Sequence, residues 1–208
     1  MKKKIFVISG FSGAGKDTVL NKVKQIEKKV MGDHSAFWFS RSDTTRPPRD
    51  DTDHYSFVTK DEFIKRDSKG FYLESNSYGT GHMYGTPLQP VLDADGIVII
   101  QVDVNGMMQI KNNTALKDIP VITIFIAADA ETLLYRLKNR GDNSEEIGKR
   151  LKTAASEAQR INEYDIVLVN DDVNDTAMKL WSIFSGIPVP GDIFDSTKFV
   201  QTVNEILC

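Results

Sequence analysis

The chain has 208 residues, 40% of them hydrophobic and 26% charged, with a formal net charge of -3. That size and balance allow one sizeable core without disulfides or structural metal, and leave no overall positive field to draw the chain to nucleic acid or an acidic membrane. The single cysteine, Cys208, excludes intramolecular disulfides and cysteine-rich metal sites and fits a reducing, cytoplasmic setting, and no apolar run is long enough to span a bilayer.

In chain order, Ile5 to Ser9 is an apolar run that predicts a buried strand, and "SGFSGAGKDT" follows at 9–18. The spacing of Val19, Leu20, Val23, Ile26 and Val30 then predicts a helix with one apolar face. From about 34 to 87 the pattern changes to short alternating strands, "AFWFS" and "YSFV", and one small helix whose start is marked by Thr59 and Glu62 as a capping box. This region is expected to be an inserted lobe. "DADG" at 93–96 reads as a helix end with Gly96 just past it. Unbroken apolar strands are expected at 97–102, 121–127 and 165–170. Between the last two, helices over 130–161 flank "GDNSEE", with Ser144 placed to cap the second, whose stripe is Ile147, Leu151, Ala154, Ala158 and Ile161. A Gly/Pro-rich stretch at 186–191 precedes a last amphipathic helix, "STKFVQTVNEIL". Apolar strands alternating with helices indicate an α/β fold, a parallel sheet covered by helices on both faces.

Gly10, four residues, then Gly15 and Lys16, set between a strand and a helix, satisfy most of a phosphate-binding P-loop. Glycines let successive amides converge on one concavity, and the helix N-terminus and the Lys16 ammonium add positive potential for nucleotide phosphates. Ser12, Gly13, Ala14, Gly15, Lys16, Asp17 and Thr18 are the candidate ATP contacts. The pattern usually has a hydroxyl directly after the lysine; here Asp17 intervenes and Thr18 is the candidate Mg²⁺ ligand. An acidic residue in the first helical turn also suits the macrodipole, and this is the preferred role for Asp17. The Asn-Lys of "NKVK" lies inside the helix pattern and is no GTP base reader. His34, His54 and His82 have no metal-ligand spacing.

"SRSDTTRPPR" at 40–49 sets Arg46 and Arg49 beside hydroxyls, and "HYSFV" follows. With "FYLE", "YGTP", "VDVNG", "RLKNRG", "SEEIGKRL" and "VNDD", in that order over residues 4–184, the sequence resembles guanylate kinase, a P-loop nucleoside monophosphate kinase. The resemblance implies Mg²⁺-dependent transfer of the ATP γ-phosphoryl group to GMP or dGMP. It implies a core of residues 1–33, 88–135 and 152–208, a GMP lobe at 34–87 and a lid at 136–151. Ser42 and Glu74 would read guanine; Arg46, Arg49, Tyr55 and Tyr84 would hold the GMP phosphate, with Gly85, Thr86 and Asp103 beside them. Arg136, Arg140 and Arg150 would close on the ATP phosphates, and Asn170 would lie beside the adenine. Lys16, Arg46, Arg140 and Arg150 are the expected catalytic residues.

The match departs from the family in places. "RDDTDHY" is three residues shorter than the usual loop and lacks its two glycines, Gln101 stands where an aspartate is common, and the tail beyond Phe184 has no matching role. Two rival readings are a same-fold kinase acting on ribose 1,5-bisphosphate, which Ser42, Glu74 and "YGT" argue against, and a non-catalytic guanylate-kinase-like binding module, which the intact Gly15 and Lys16 argue against.

Overall fold

A computed structural model describes residues 2–32, 34–48, 54–77 and 81–208. The chain divides into two compact units, Met1–Ile8 with Ala36–Ile122, and Ser9–Ser35 with Thr123–Cys208. Both are α/β, as the alternation of apolar strands and amphipathic helices requires.

In the first unit the apolar runs become β1 (Lys4–Gly10, which continues into the second unit) and β7 (Ile97–Gln101). They pair in parallel, Ile5 opposite Val98 and Val7 opposite Ile100, all four completely or almost completely buried. β2 (Phe37–Phe39) lies on the other side of β7, also parallel. This corrects one expectation: the strand within "AFWFS" belongs to the parallel sheet and not to the inserted lobe. Three residues are too few for periodicity to tell which sheet a strand joins.

The lobe has its own four-stranded sheet, in the order β4-β3-β6-β5. Its strands are β3 (Ser42–Thr44), β4 (Tyr55–Phe57), β5 (Tyr72–Ser77) and β6 (Met83–Pro87). α2 (Lys60–Asp67) starts where its capping residues predict, with the Thr59 hydroxyl accepting from the Glu62 amide at 3.2 Å. α3 (Leu88–Asp93) and α4 (Val104–Lys111) complete the unit. Met107 is fully buried in α4.

The second unit contains α1 (Lys16–Met31), β8 (Val121–Ala127, from Thr123 on), α5 (Ala130–Asn139) and α6 (Ser144–Ala158). β9 (Ile166–Val169), parallel to β8, α7 (Val173–Phe184) and α8 (Ser196–Leu207) follow. The predicted stripe is buried throughout, Ile147, Leu151, Ala154 and Ala158 on α6 and Ile161 just past its end; burying each of Ile147, Leu151 and Ile161 contributes about 1.5–3 kcal/mol.

Two details differ from the sequence reading. Val30 is 58% exposed, because the buried face of α1 ends at Glu27, whose carboxylate accepts from the Ser35 hydroxyl. The cap of α6 is Asn143, one residue before Ser144: its side chain accepts from the Glu146 amide and Glu146 reaches back to the Asn143 amide. Both residue types cap well, and the reciprocal bond to Glu146 selects the earlier one.

Candidate functional site

In the first unit, strand register brings together residues that are far apart in sequence. Ser42 lies opposite Tyr55, Thr44 opposite Tyr84, and Glu74 opposite Thr86. The Thr86 hydroxyl donates to Glu74 Oε1 at 2.7 Å and lies 3.3 Å from the Ser42 hydroxyl. All three side chains are buried, a polar chain inside the lobe that sequence alone does not connect.

A β-bulge aims the glutamate. Tyr72 pairs with Pro87 and Glu74 with Thr86, so Leu73 is an extra residue on β5. The bulge breaks the ordinary alternation and separates the directions of Tyr72 and Glu74. The Tyr72 hydroxyl donates to buried Asp43 at 2.9 Å, and Arg66 donates to the same carboxylate oxygen at 2.7 Å. Burial and the Asp43 carboxylate raise the Tyr72 phenol above its ordinary range, and the bonds to Glu62 and Asp43 hold Arg66 above its own. Asp43, Arg66 and Tyr72 were not anticipated; together they tie β3 to β5 and α2.

Burial pushes the Glu74 carboxyl up to about 7, opposed by the Thr86 hydrogen bond and helped by the negative charge of Asp103. Asp103 caps α4, accepting from the Gly106 amide at 2.7 Å, and its other oxygen accepts from Asn76 Nδ2 at 2.7 Å. A carboxyl with this environment suits a ligand that offers donors, since those restore the charged form.

Arg46 lies with its guanidinium carbon 5.3 Å from the Tyr55 ring centroid, and its Nε is buried without a hydrogen-bond partner. The Tyr55 and Tyr84 rings meet edge to face at 5.8 Å. Gly85 is buried in β6 opposite Asp43. Arg49, and with it Asp50, Asp51 and Asp53, lies outside the described residues.

In the second unit the glycine-rich turn has the form its sequence predicts. A Cβ at Gly10 would sit 2.1 Å from the Ile126 carbonyl oxygen, and Gly15 is left-handed with φ 85°, where a Cβ would be 2.7 Å from Asn170 Nδ2. A side chain at Gly10 would collide with backbone, and one at Gly15 would be strained in the left-handed region. α1 starts from a left-handed glycine with no side-chain cap bond, a helix N-terminus of the kind that receives anions. Lys16 Nζ donates to the Gly10 carbonyl at 2.8 Å.

Three expected residues are bonded to the turn itself. Asn170, fully buried, donates from Nδ2 to the Ala14 carbonyl at 2.7 Å, while its Oδ1 has no partner. Arg136 donates to the Ala14 carbonyl at 3.2 Å and to the Asn170 carbonyl at 2.9 Å. Arg150 donates to the Ser12 hydroxyl at 2.8 Å. Arg150 Nε is also 2.9 Å from Asp142 Oδ2, and Arg140 Nε donates to Asp142 Oδ1 at 3.1 Å. Arg140 first, then Arg150, holds the Asp142 carboxyl below the usual carboxylate range. Asp142 is a site neighbour that the sequence reading passed over; two arginines sharing one carboxylate oxygen pair form a ready-made anion environment.

The comparisons with known proteins follow the same lines. A family model described as guanylate kinase matches residues 2–186. The chain is 37% identical over 191 residues to a guanylate kinase of Bifidobacterium longum, covering 88% of this chain and 93% of that protein. It is 38% identical over 190 residues to one of Desulfotalea psychrophila, covering 88% of each. The crystal structure of guanylate kinase from Anaplasma phagocytophilum aligns with a TM-score of 0.65 at 26% identity, covering 89% of this chain and 86% of that one.

Proposed function

This chain belongs to the guanylate kinase family, and from that premise we propose that it transfers the γ-phosphoryl group of Mg-ATP to GMP, giving ADP and GDP. The observation that carries the reading is the buried Ser42–Thr86–Glu74 chain in a protein that also has an intact phosphate loop. Glu74 accepts from the guanine N1 hydrogen and 2-amino group, with Ser42 alongside; adenine offers an acceptor at N1 and is refused by the ionised carboxylate. Sites that read polar groups in this way discriminate by about 10⁴-fold or more.

Arg46 clamps the GMP phosphate, with Tyr55 and Tyr84 donating neutral hydrogen bonds and Arg49 assigned to the same phosphate by the resemblance; the unpaired Nε of Arg46 supports this. Gly85 and Thr86 line the same strand, and Asp103 orders α4 beside the acceptor. On the donor side, the amides of Ser12 to Thr18 and the Lys16 ammonium receive the ATP phosphates, and Arg136, Arg140 and Arg150 compensate their charge. Asn170 supports the turn and presents its free Oδ1 to the nucleotide. The proposed division is a GMP lobe within 34–87 whose own sheet occupies residues 42–87, β2 before it belonging to the parallel sheet, a lid at 136–151, and a core at 1–33, 88–135 and 152–208.

The residues fit a magnesium ion carried in by ATP. Thr18 is exposed in the first turn of α1 beside Asp17, both oxygen donors, and no cluster of three or more His, Cys, Asp or Glu able to hold a metal occurs among the described residues. A hard cation that keeps most of its water and its phosphate ligands needs only such a partial shell. When bound, it neutralises phosphate charge. The acceptor oxygen of GMP is already anionic near pH 7, so no general base is needed, and the protein's part is orientation and preorganised positive charge. No helix among the described residues is long and apolar enough to cross a membrane; the reaction's substrates fit the expected cytoplasmic setting.

The test is an ADP-release assay with GMP, dGMP, AMP, dTMP and ribose bisphosphate as acceptors, with and without Mg²⁺. Turnover restricted to the guanine nucleotides is the expected result. Turnover only with ribose bisphosphate, or none with any acceptor, refutes it.

A further inference from the structure

The family match stops at residue 186, yet the chain continues as an ordered segment that reaches the phosphate loop. Gly186, left-handed at φ 83°, ends α7, and the following residues run along β9. The Asp192 amide donates to the Val167 carbonyl at 2.7 Å, its Oδ2 accepts from the Val169 amide at 2.9 Å, and its Oδ1 accepts from Lys179 Nζ at 2.7 Å. Asp195 then caps α8, accepting from the Lys198 amide.

α8 packs against α5 and α6, the helices that carry Arg136 and Arg150. Its buried face is Phe199 and Val203. The Phe199 ring is stacked on that of Phe11 at 4.7 Å with an interplanar angle of 6°, and Phe194 lies 5.8 Å from Phe11 and 5.4 Å from Phe199. Phe125 meets Phe11 edge-on at 4.8 Å. Phe11 is the second residue of the Gly10–Lys16 turn and is fully buried. Its carbonyl accepts from the Ala14 amide, its predecessor's carbonyl accepts from Lys16, and its successor's hydroxyl accepts from Arg150. The ring of Phe11 is thus a buried anchor of this turn, and two of the three ring contacts described for it, Phe194 and Phe199, come from the tail.

We propose that the C-terminal segment 187–208 is a positioning element for the ATP phosphate loop, acting through the Phe199–Phe11 stack. The proposal rests on the assignment of that loop to ATP. Offset stacking fixes ring orientation as well as burying area, so loss of the Phe199 ring frees Phe11 to turn, and the amides at 10–16 lose their common aim. The GMP residues belong to the other compact unit and have no part in this stack.

The test compares full-length Phe199→Ala, Phe199→Leu and Val203→Ala. Val203 is on the same buried face of α8 one turn later and serves as the control for loss of tail packing alone. Kd for ATP is measured by calorimetry, KM for ATP and for GMP separately, and melting temperature for each. Phe199→Ala is expected to weaken ATP by about fivefold or more, with KM for GMP within about twofold of wild type. Phe199→Leu, which keeps the burial and removes the ring, should do the same with less loss of melting temperature, and Val203→Ala should lower melting temperature while leaving the ATP constants alone. Equal ATP constants in wild type and Phe199→Leu, or equal shifts in Phe199→Leu and Val203→Ala, overturn the inference alone. A wild-type protein that binds no ATP overturns the loop assignment and this inference with it.

Discussion

The ionisation of Glu74 makes guanine recognition depend on pH in a way that can be calculated. With its carboxyl at about 7 in the free protein, half of the molecules are neutral at pH 7. Guanine donates two hydrogens to this group, so the nucleotide binds the ionised form and its apparent Kd is multiplied by 1 + 10^(7-pH). Between pH 8 and pH 6 that factor rises from about 1 to about 11, a tenfold weakening. The neutral form carries a hydroxyl that can donate to adenine N1, and its population rises by a similar factor, so the GMP-to-AMP preference falls by up to about 10² over the same interval.

Calorimetric titration at pH 6, 7 and 8 in buffers of different ionisation enthalpy measures both the affinity and the protons released. GMP binding at pH 6 is expected to release close to one proton from Glu74. The GMP phosphate, whose second pKa is near 6, adds its own contribution, and the same titration on Glu74→Gln isolates it. The difference between the two proteins should follow a single ionisation near 7. A wild-type affinity flat from pH 6 to pH 8, or a wild-type profile that coincides with that of Glu74→Gln, would refute the assignment of the guanine contact to this carboxylate.

Four further outcomes are expected. Glu74→Gln should be more stable than wild type at pH 8 by up to about 3 kcal/mol, because a carboxyl raised from 4.5 to about 7 favours the folded state below pH 4.5 and loses that advantage as pH rises through 7; denaturant titrations at pH 4.5 and 8 should therefore show the gap only at pH 8. Lys16→Ala should lower kcat by about 10²–10³ while its melting temperature stays within a few degrees, since it loses one half-buried hydrogen bond to Gly10; wild-type turnover would contradict the role. Arg46→Lys, which removes the planar fork but keeps the charge, should raise KM for GMP about tenfold without changing KM for ATP. Asp43→Asn weakens the acceptor shared by Arg66 and Tyr72 and should cost about 2 kcal/mol of stability, read as a shift in urea midpoint.

The phosphate loop was legible because its motif is local: Gly10, Gly15 and Lys16 stand close together with a strand before and a helix after, although the contacts that demand the glycines, at Ile126 and Asn170, lie far along the chain. The lobe announced itself by its change of pattern, but the roles of its residues were legible only through resemblance. Nothing in "FYLE" says that Leu73 bulges out, yet the bulge is what lets Tyr72 serve Asp43 while Glu74 serves Thr86. Short elements misled for the same reason in reverse. Phe37–Phe39 carries too little pattern to declare its sheet, and Ser144 and Asn143 differ only in which one Glu146 can reach back to.

The tail shows where the boundary between local and non-local information falls. "STKFVQTVNEIL" announces an amphipathic helix, since Phe199 and Val203 are one turn apart, and it forms as expected. Its partner is announced nowhere: Phe11 lies 188 positions earlier in the chain, inside a motif whose residues are normally read for their backbone. A side chain in a phosphate loop that is fully buried and stacked must be held by something, and the amides flanking it can be no better oriented than that support. The orientation of the donor site is therefore set partly by residues beyond the family-model match, and loss of the Phe199 ring should appear as a change in ATP handling before it appears as unfolding.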